Sequence, residues 1–167
     1  MTEALTFARA NQLQRAARTL VATGPASRIG IHLFHRLDAP VFRLTRGRHT
    51  LSSLVTGLPV VYLHTRGARS GQWRTSPVLG VPTPEGLIVI GSNYGQARDP
   101  AWSHNLRAHP DGELETGGRR RMFRAVEVHG EHRRRLWRAG LEIYPGWQSY
   151  ELRAQGREIP VFILEGV

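Results

Sequence analysis

The chain has 167 residues, 40% of them hydrophobic and 22% charged, the length and texture of one globular domain with its own core. It contains no cysteine and no lysine, so all 23 basic residues are arginine; disulfides, thiolate metal sites, thiol catalysis, Schiff-base chemistry and a P-loop lysine are excluded. A formal net charge of +10 points to anionic partners: nucleic acid, a phosphorylated or polycarboxylate ligand, or an acidic membrane surface.

Residues 4–22 read as a helix with Leu13, Ala17, Leu20 and Val21 on one face and Gly24-Pro25 as its stop. A second helical segment, 27–37, carries Ile29, Leu33 and Leu37 at i, i+4 spacing. Both are basic and amphipathic, so they either pack on the main domain or lie against an anionic membrane surface or a partner. Residues 1–37 are therefore set apart from a main domain over 38–167. Arg9, Arg15 and Arg18 interrupt any signal-peptide core, and no stretch reaches the roughly 18 apolar residues of a spanning helix. The expected location is cytoplasmic, with peripheral membrane contact through the N-terminal helices left open.

From residue 59 the texture becomes that of strands. PVVYLHT (59–65), RTSPVLGV (74–81) and GLIVIGS (86–92) are rich in β-branched residues and separated by glycine-bearing turns. GELET (112–116) and RRRMFRAVEVH (119–129) flank Gly117-Gly118, a hairpin signal, and Met122, Ala125 and Val128 break the alternation in a way that suggests a bulge. EIPVFILE (158–165) is the last strand. Six strands on mostly short turns predict an antiparallel barrel, mainly β with flanking helices. One helix is expected to be capped by Asp99, with Pro100 in its first position, and to stop before Pro110. Another spans about 131–143, and a helical turn with Trp147 and Tyr150 follows.

RGARSGQWRTSPVL (66–79) concentrates the polar chemistry. Gly67 and Gly71 let a ligand approach the backbone, Arg69 and Arg74 offer bidentate donors, and Ser70, Thr75 and Ser76 add hydroxyls. That describes an anion site or a solvated hairpin, and its spacing matches neither a Walker loop nor a dinucleotide fingerprint. The start of the helix after Pro100 is a second anion candidate. The histidine pairs His32/His35 and His129/His132 lack a third ligand, so no metal is expected. The runs Arg119–Arg121 and Arg133–Arg135 read as solvated faces, and nucleic acid is not the expected partner. Tyr144, Trp147 and Tyr150 step by three along one side of a helical turn, suited to a core or to a lid over a flat ligand.

In order and spacing, LHTRGARSGQWRTSPVL, VIGSNYG, DPAWSHNLRAHP, YPGWQSY and REIPVFILE resemble the deazaflavin-dependent nitroreductase family, over roughly residues 38–166. The resemblance implies a split β-barrel that binds the deazaflavin coenzyme F420 and passes a hydride from its reduced form to quinones, nitroaromatics or activated alkenes such as unsaturated lactones. It implies that Ala68, Arg69 and Ser70 hold the phosphate and polyglutamate side of the coenzyme. Arg74, Thr75, Ser76, Pro77, Val78 and Leu79 would line the deazaflavin edge. Ile90, Gly91, Ser92 and Asn93, with Ala101, Trp102, Ser103, His104 and Asn105, would complete the cradle. Ser92, Tyr144, Trp147 and Tyr150 are the catalytic candidates. The chain departs from the family pattern in two places. Ala68-Arg69 stands where a lysine is frequent, and Trp147 stands where nitro-reducing members carry tyrosine. FMN on the same fold, or a non-catalytic coenzyme- or membrane-associated binding protein, are the alternatives, and a homodimer is left open.

Overall fold

The computed structural model describes residues 60–167, and its six strands close on themselves. They are β1 (Val60–Arg66), β2 (Trp73–Thr83), β3 (Gly86–Ile90), β4 (Asp111–Thr116), β5 (Arg119–Val128) and β6 (Val161–Glu165), in the barrel order β1-β2-β3-β6-β5-β4 with every neighbour antiparallel. Three helices accompany them: α1 (Ala101–Ala108), α2 (Gly130–Ile143) and α3 (Gly146–Arg153). The helices expected over 4–22 and 27–37, the His32/His35 pair and the boundary at residue 37 lie outside the described residues.

Two apolar cores follow from the period-2 alternation of the strands. Val61, Leu63, Leu87, Val89, Leu114, Phe123, Phe162 and Leu164 fill the barrel, and Trp102 and Leu106 of α1 close one end. The alternate residues Ile88, Ile90, Val161 and Ile163 face outward, where Leu136 and Trp137 of α2 and Trp147 and Tyr150 of α3 cover them. Strands β3 and β6 are thus buried on both faces, which is why their sequences read as unbroken apolar runs. Phe162, 1% exposed, contributes about 1.5–3 kcal/mol of burial on that basis.

Several expectations are corrected here. Strand β5 pairs with β4 and β6 in unbroken register and has no bulge; Val128 faces outward and is buried by α2. Strand β6 begins at Val161 rather than Glu158, because Pro160 has no N–H to pair and the Ile159 carbonyl already accepts from Arg133 Nε at 2.9 Å. Within the run 133–135 only Arg134 and Arg135 are solvated. Arg133 is buried, with its guanidinium over the Trp137 ring at 5.2 Å. At the Gly117-Gly118 turn both glycines hold positive φ (57° and 75°), as a tight two-residue hairpin requires.

Candidate functional site

Strands β1 and β2 meet in the turn Gly67–Gln72. Gly67 N donates to Gln72 O and Gly71 N to Gly67 O, both at 2.8 Å, and Gly71 adopts φ +64°, a conformation that costs glycine least. The turn is fastened to α1 by one side chain. Asn105 Oδ1 accepts from Ala68 N at 2.9 Å, and Asn105 Nδ2 donates to the buried Thr65 Oγ1 at 3.0 Å. Asn105, expected among the coenzyme ligands, thus holds the loop in place. Arg69 and Ser70 are left exposed at its tip.

The distribution of ion pairs sets this hairpin apart. Arg107, Arg120, Arg124, Arg134, Arg135 and Arg157 each reach a carboxylate within 3.3 Å. Its carboxylate partners, Glu127 first and then Asp99, hold the Arg107 guanidinium charged well beyond its ordinary range, against the opposing effect of burial. Among the described residues, Arg66, Arg69, Arg74, Arg98 and Arg153 pair with no carboxylate. Arg66 lies 4.9 Å from the centre of the Trp73 ring, and Arg74 donates to Gln72 Oε1 at 3.2 Å. Three of these five cations flank or occupy one turn; Arg98 precedes α1, and Arg153 ends α3, where it lies over the Tyr150 ring. An exposed guanidinium with open donors takes phosphate or carboxylate bidentately.

The segment after β3 is held in an unusual form. Asn93 and Tyr94 have positive φ (44° and 55°), a left-handed backbone that asparagine tolerates and tyrosine adopts at a cost of about 1–3 kcal/mol. Arg157 supplies the restraint. It donates to the carbonyls of Ser92 (2.9 Å), Gln96 (3.1 Å) and Gly91 (3.4 Å) and pairs with Asp99. Asp99 also pairs with Arg107 at 2.7 Å. The expectation that Asp99 caps α1 is corrected: two guanidinium groups draw its carboxylate away, and Pro100 is the N-cap without a side-chain bond. At Gly91 a Cβ would sit 2.7 Å from Pro160 Cγ, so only glycine fits between that proline and the site.

Tyr144, Trp147 and Tyr150 are brought together but buried, at 4%, 3% and 5% exposure. Trp147 packs edge-on to Tyr144 at 5.6 Å and against Gly140 of α2, where a Cβ would come within 3.1 Å of the indole. The open stacking surface expected of Trp147 is therefore absent from this conformation, because Gly140 provides a slot that the indole fills. The hydroxyls of Tyr144 and Tyr150 are 3.0 Å apart. Burial is the first cause that pushes both phenols above their ordinary range, so both stay protonated at neutral pH. Beside this cluster Tyr94 reaches the surface, 37% exposed and 6.0 Å from Tyr150, and Trp73 on the hairpin is a second exposed ring.

Of the other expected residues, Thr75 and Pro77 are exposed on β2, Ser76, Val78 and Leu79 are half-buried, and Ala101 and His104 are exposed on α1. Ile90, Ser92, Trp102 and Ser103 are buried; Trp102 stands edge-on to Phe162 and Ser103 Oγ donates to Pro100 O at 2.8 Å. The residues that sequence reasoning missed are Arg98, Arg157 and His64. Arg157 acts across 58 residues of sequence on Asp99, and no local pattern marks it.

A model of the F420H(2)-dependent quinone reductase family matches residues 34–166. An F420H(2)-dependent quinone reductase of Mycobacterium tuberculosis is 33% identical over 140 residues, covering 81% of this chain and 91% of that protein. Among solved structures, the F420-H2 dependent reductase FDR-A is 32% identical with a TM-score of 0.58, covering 64% of this chain and 94% of that one. A domain-swapped dimer is 29% identical with a TM-score of 0.61, covering 85% of this chain and all of that one.

Proposed function

This chain belongs to the F420H2-dependent quinone reductase family, and from that premise we propose that the β1–β2 hairpin holds coenzyme F420 for hydride delivery to a quinone. The observation that carries this assignment is the concentration of carboxylate-free arginines, Arg66, Arg69 and Arg74, around one glycine turn. A phosphodiester and carboxylate tail needs that donor set, so the residues present fit the coenzyme.

Bound there, reduced F420 supplies the hydride. The chain supplies binding and order. Arg69, Ser70 and Arg74 grip the anionic tail, while Asn105, holding Ala68 N, keeps the loop from collapsing. Pro77 and Leu79 offer an apolar wall to the flat ring, Val78 packs behind them against the barrel core, and Gly91 to Asn93 with Ala101 and His104 complete the cradle. Ser92 and the protonated phenols of Tyr144 and Tyr150 are the hydrogen-bond donors assigned to the acceptor side. Tyr94 is the ring a flat quinone can reach, with Trp147 packed behind it. A nitroaromatic or an activated alkene is the finer alternative acceptor. A homodimer is supported by the domain-swapped neighbour, and membrane contact by the basic amphipathic pattern of residues 1–37.

Titration of the purified protein with F420, FMN and a DNA duplex, followed by tryptophan fluorescence, tests the assignment. F420 should bind, and Arg69→Ala and Arg74→Ala should each weaken it. Binding of FMN or DNA alone, or unchanged F420 affinity in both variants, refutes it. Turnover of one quinone against one nitroaromatic, each with reduced F420, ranks the acceptors. Sedimentation with anionic vesicles, with and without residues 1–37, tests the membrane contact.

A further inference from the structure

At one level of the barrel wall, cross-strand register lines up Glu113 of β4, His64 of β1 and Thr75 of β2. His64 is 8% exposed, while Thr75 faces solvent on the strand assigned to the coenzyme. His64 Nδ1 lies 2.8 Å from Thr75 Oγ1, and His64 Nε2 lies 2.9 Å from Glu115 Oε2. Glu115 Oε2 also accepts from Arg120 Nε at 2.9 Å, and Arg120 reaches Glu113 at 3.3 Å. Among the described residues these are the charged groups facing the imidazole from β4 and β5. Strand β2 presents Thr75 between the uncharged Trp73 and Pro77, and β1 itself presents Tyr62 and Arg66 on the same face.

Donor and acceptor capacities fix the state of this chain of bonds. A carboxylate clamped by a guanidinium only accepts, so His64 Nε2 carries a proton and donates to Glu115. In the neutral ring Nδ1 is then bare, and Thr75 spends its single O–H on it, turning lone pairs outward. When the ring takes a second proton, Nδ1–H donates to Thr75 Oγ1 and the Thr75 hydrogen is released toward the surface. One proton on a buried histidine thus converts an exposed hydroxyl from acceptor to donor, with no heavy atom displaced.

We propose that His64 is a positioning residue for the coenzyme: through its protonation state it sets whether Thr75 meets F420 as acceptor or donor. This rests on β2 forming the coenzyme wall. An anionic ligand rich in carbonyl and phosphate oxygens presents mostly acceptors, so the doubly protonated ring, with its donor hydroxyl and added positive charge, is the state that binds more tightly. Coenzyme affinity therefore rises when the ring takes its second proton, and by linkage binding draws a proton onto the ring.

The test uses the full chain, F420 titrations between about pH 5 and pH 8, and nitrogen NMR of the His64 ring. Wild-type Kd should fall with decreasing pH about fivefold more than that of Thr75→Val or His64→Gln. The coenzyme's own titration is common to all three forms and cancels in the ratio. The free protein should show the Nε2–H tautomer when neutral, and F420 should raise the pH at which the ring takes its second proton. If Thr75→Val keeps the full wild-type pH dependence, or F420 leaves the His64 titration unmoved, the proposal is overturned and the network only joins three strands. Failure of F420 to bind at any pH overturns the coenzyme wall itself. That outcome stands apart because it abolishes affinity in every form while the free-protein tautomer is still readable.

Discussion

Replacing Asn105 with alanine separates anchoring of the turn from general stability, because one carboxamide serves two partners that differ in burial. The Ala68 N–H is on an exposed residue and rehydrates when its acceptor is lost. Thr65 is 0% exposed, so its hydroxyl loses the Asn105 donor in a place water does not reach. The net loss of the two bonds is about 1 kcal/mol each, and stranding Thr65 adds about 1–3 kcal/mol, for a total of about 2–4 kcal/mol with the surface bond discounted. That is a fall in Tm of roughly 5–15 °C for a chain of this size. Freed from α1, the turn must be reordered when F420 binds, and even part of one residue's backbone entropy weakens binding about tenfold. The double variant Thr65→Val/Asn105→Leu removes both buried polar partners. It should recover most of the stability, yet its affinity should stay low because Ala68 N still has no acceptor. Urea melts and F420 titrations of the single and double variants measure both quantities. If Asn105→Ala melts early but binds F420 like the wild type, the bond to Ala68 positions nothing. If stability does not fall either, the carboxamide bonds contribute nothing measurable.

Arg69→Ala and Arg74→Ala should each weaken F420 binding by about 1.5 kcal/mol, the low end for a charged hydrogen bond at an exposed site; the loss should shrink for a tail-less analogue and at high salt, measured by fluorescence titration. Arg157→Met should destabilise by about 2 kcal/mol, since it leaves several carbonyls without their donor and Asp99 with Arg107 alone, and hydrogen exchange should show residues 91–99 opening first. The buried phenols make the fold sensitive to alkali. A group whose folded pKa is raised contributes stability that is full below the unfolded value near 10 and is lost as pH climbs toward the folded one, at up to about 1.4 kcal/mol per pH unit for each tyrosine. Tyr150→Phe should cost about 1 kcal/mol at neutral pH through the lost bond to Tyr144, yet flatten the decline in urea midpoint above about pH 10; an unchanged alkaline slope refutes it.

What the sequence shows openly is what has a short period. Strands β1 to β6 stand out because β-branched residues recur between glycine turns, and α2 because its apolar residues keep helical spacing. Arg133 was legible too: it shares a face with Leu136, Trp137 and Gly140, at i, i+3, i+4 and i+7, and only its place in a run of three arginines made it look solvated. Asp99 is the opposite case. A residue before Pro100 is a plausible cap by every local rule, and the two arginines that claim its carboxylate come from eight residues ahead and 58 residues away. The His64 network depends on register, which no single strand encodes. A slip of two residues between β1 and β2 would set His64 opposite Trp73 or Pro77 and dissolve its bond to Thr75, while keeping every apolar residue on its proper face. Hydrophobic patterning alone therefore leaves those registers nearly equivalent. What decides between them is the turn: the bond from Gly67 N to Gln72 O closes the hairpin at one length, and the left-handed Gly71 lets it close. The glycines of the turn proposed to hold the coenzyme are thus also the residues that bring His64 and Thr75 together.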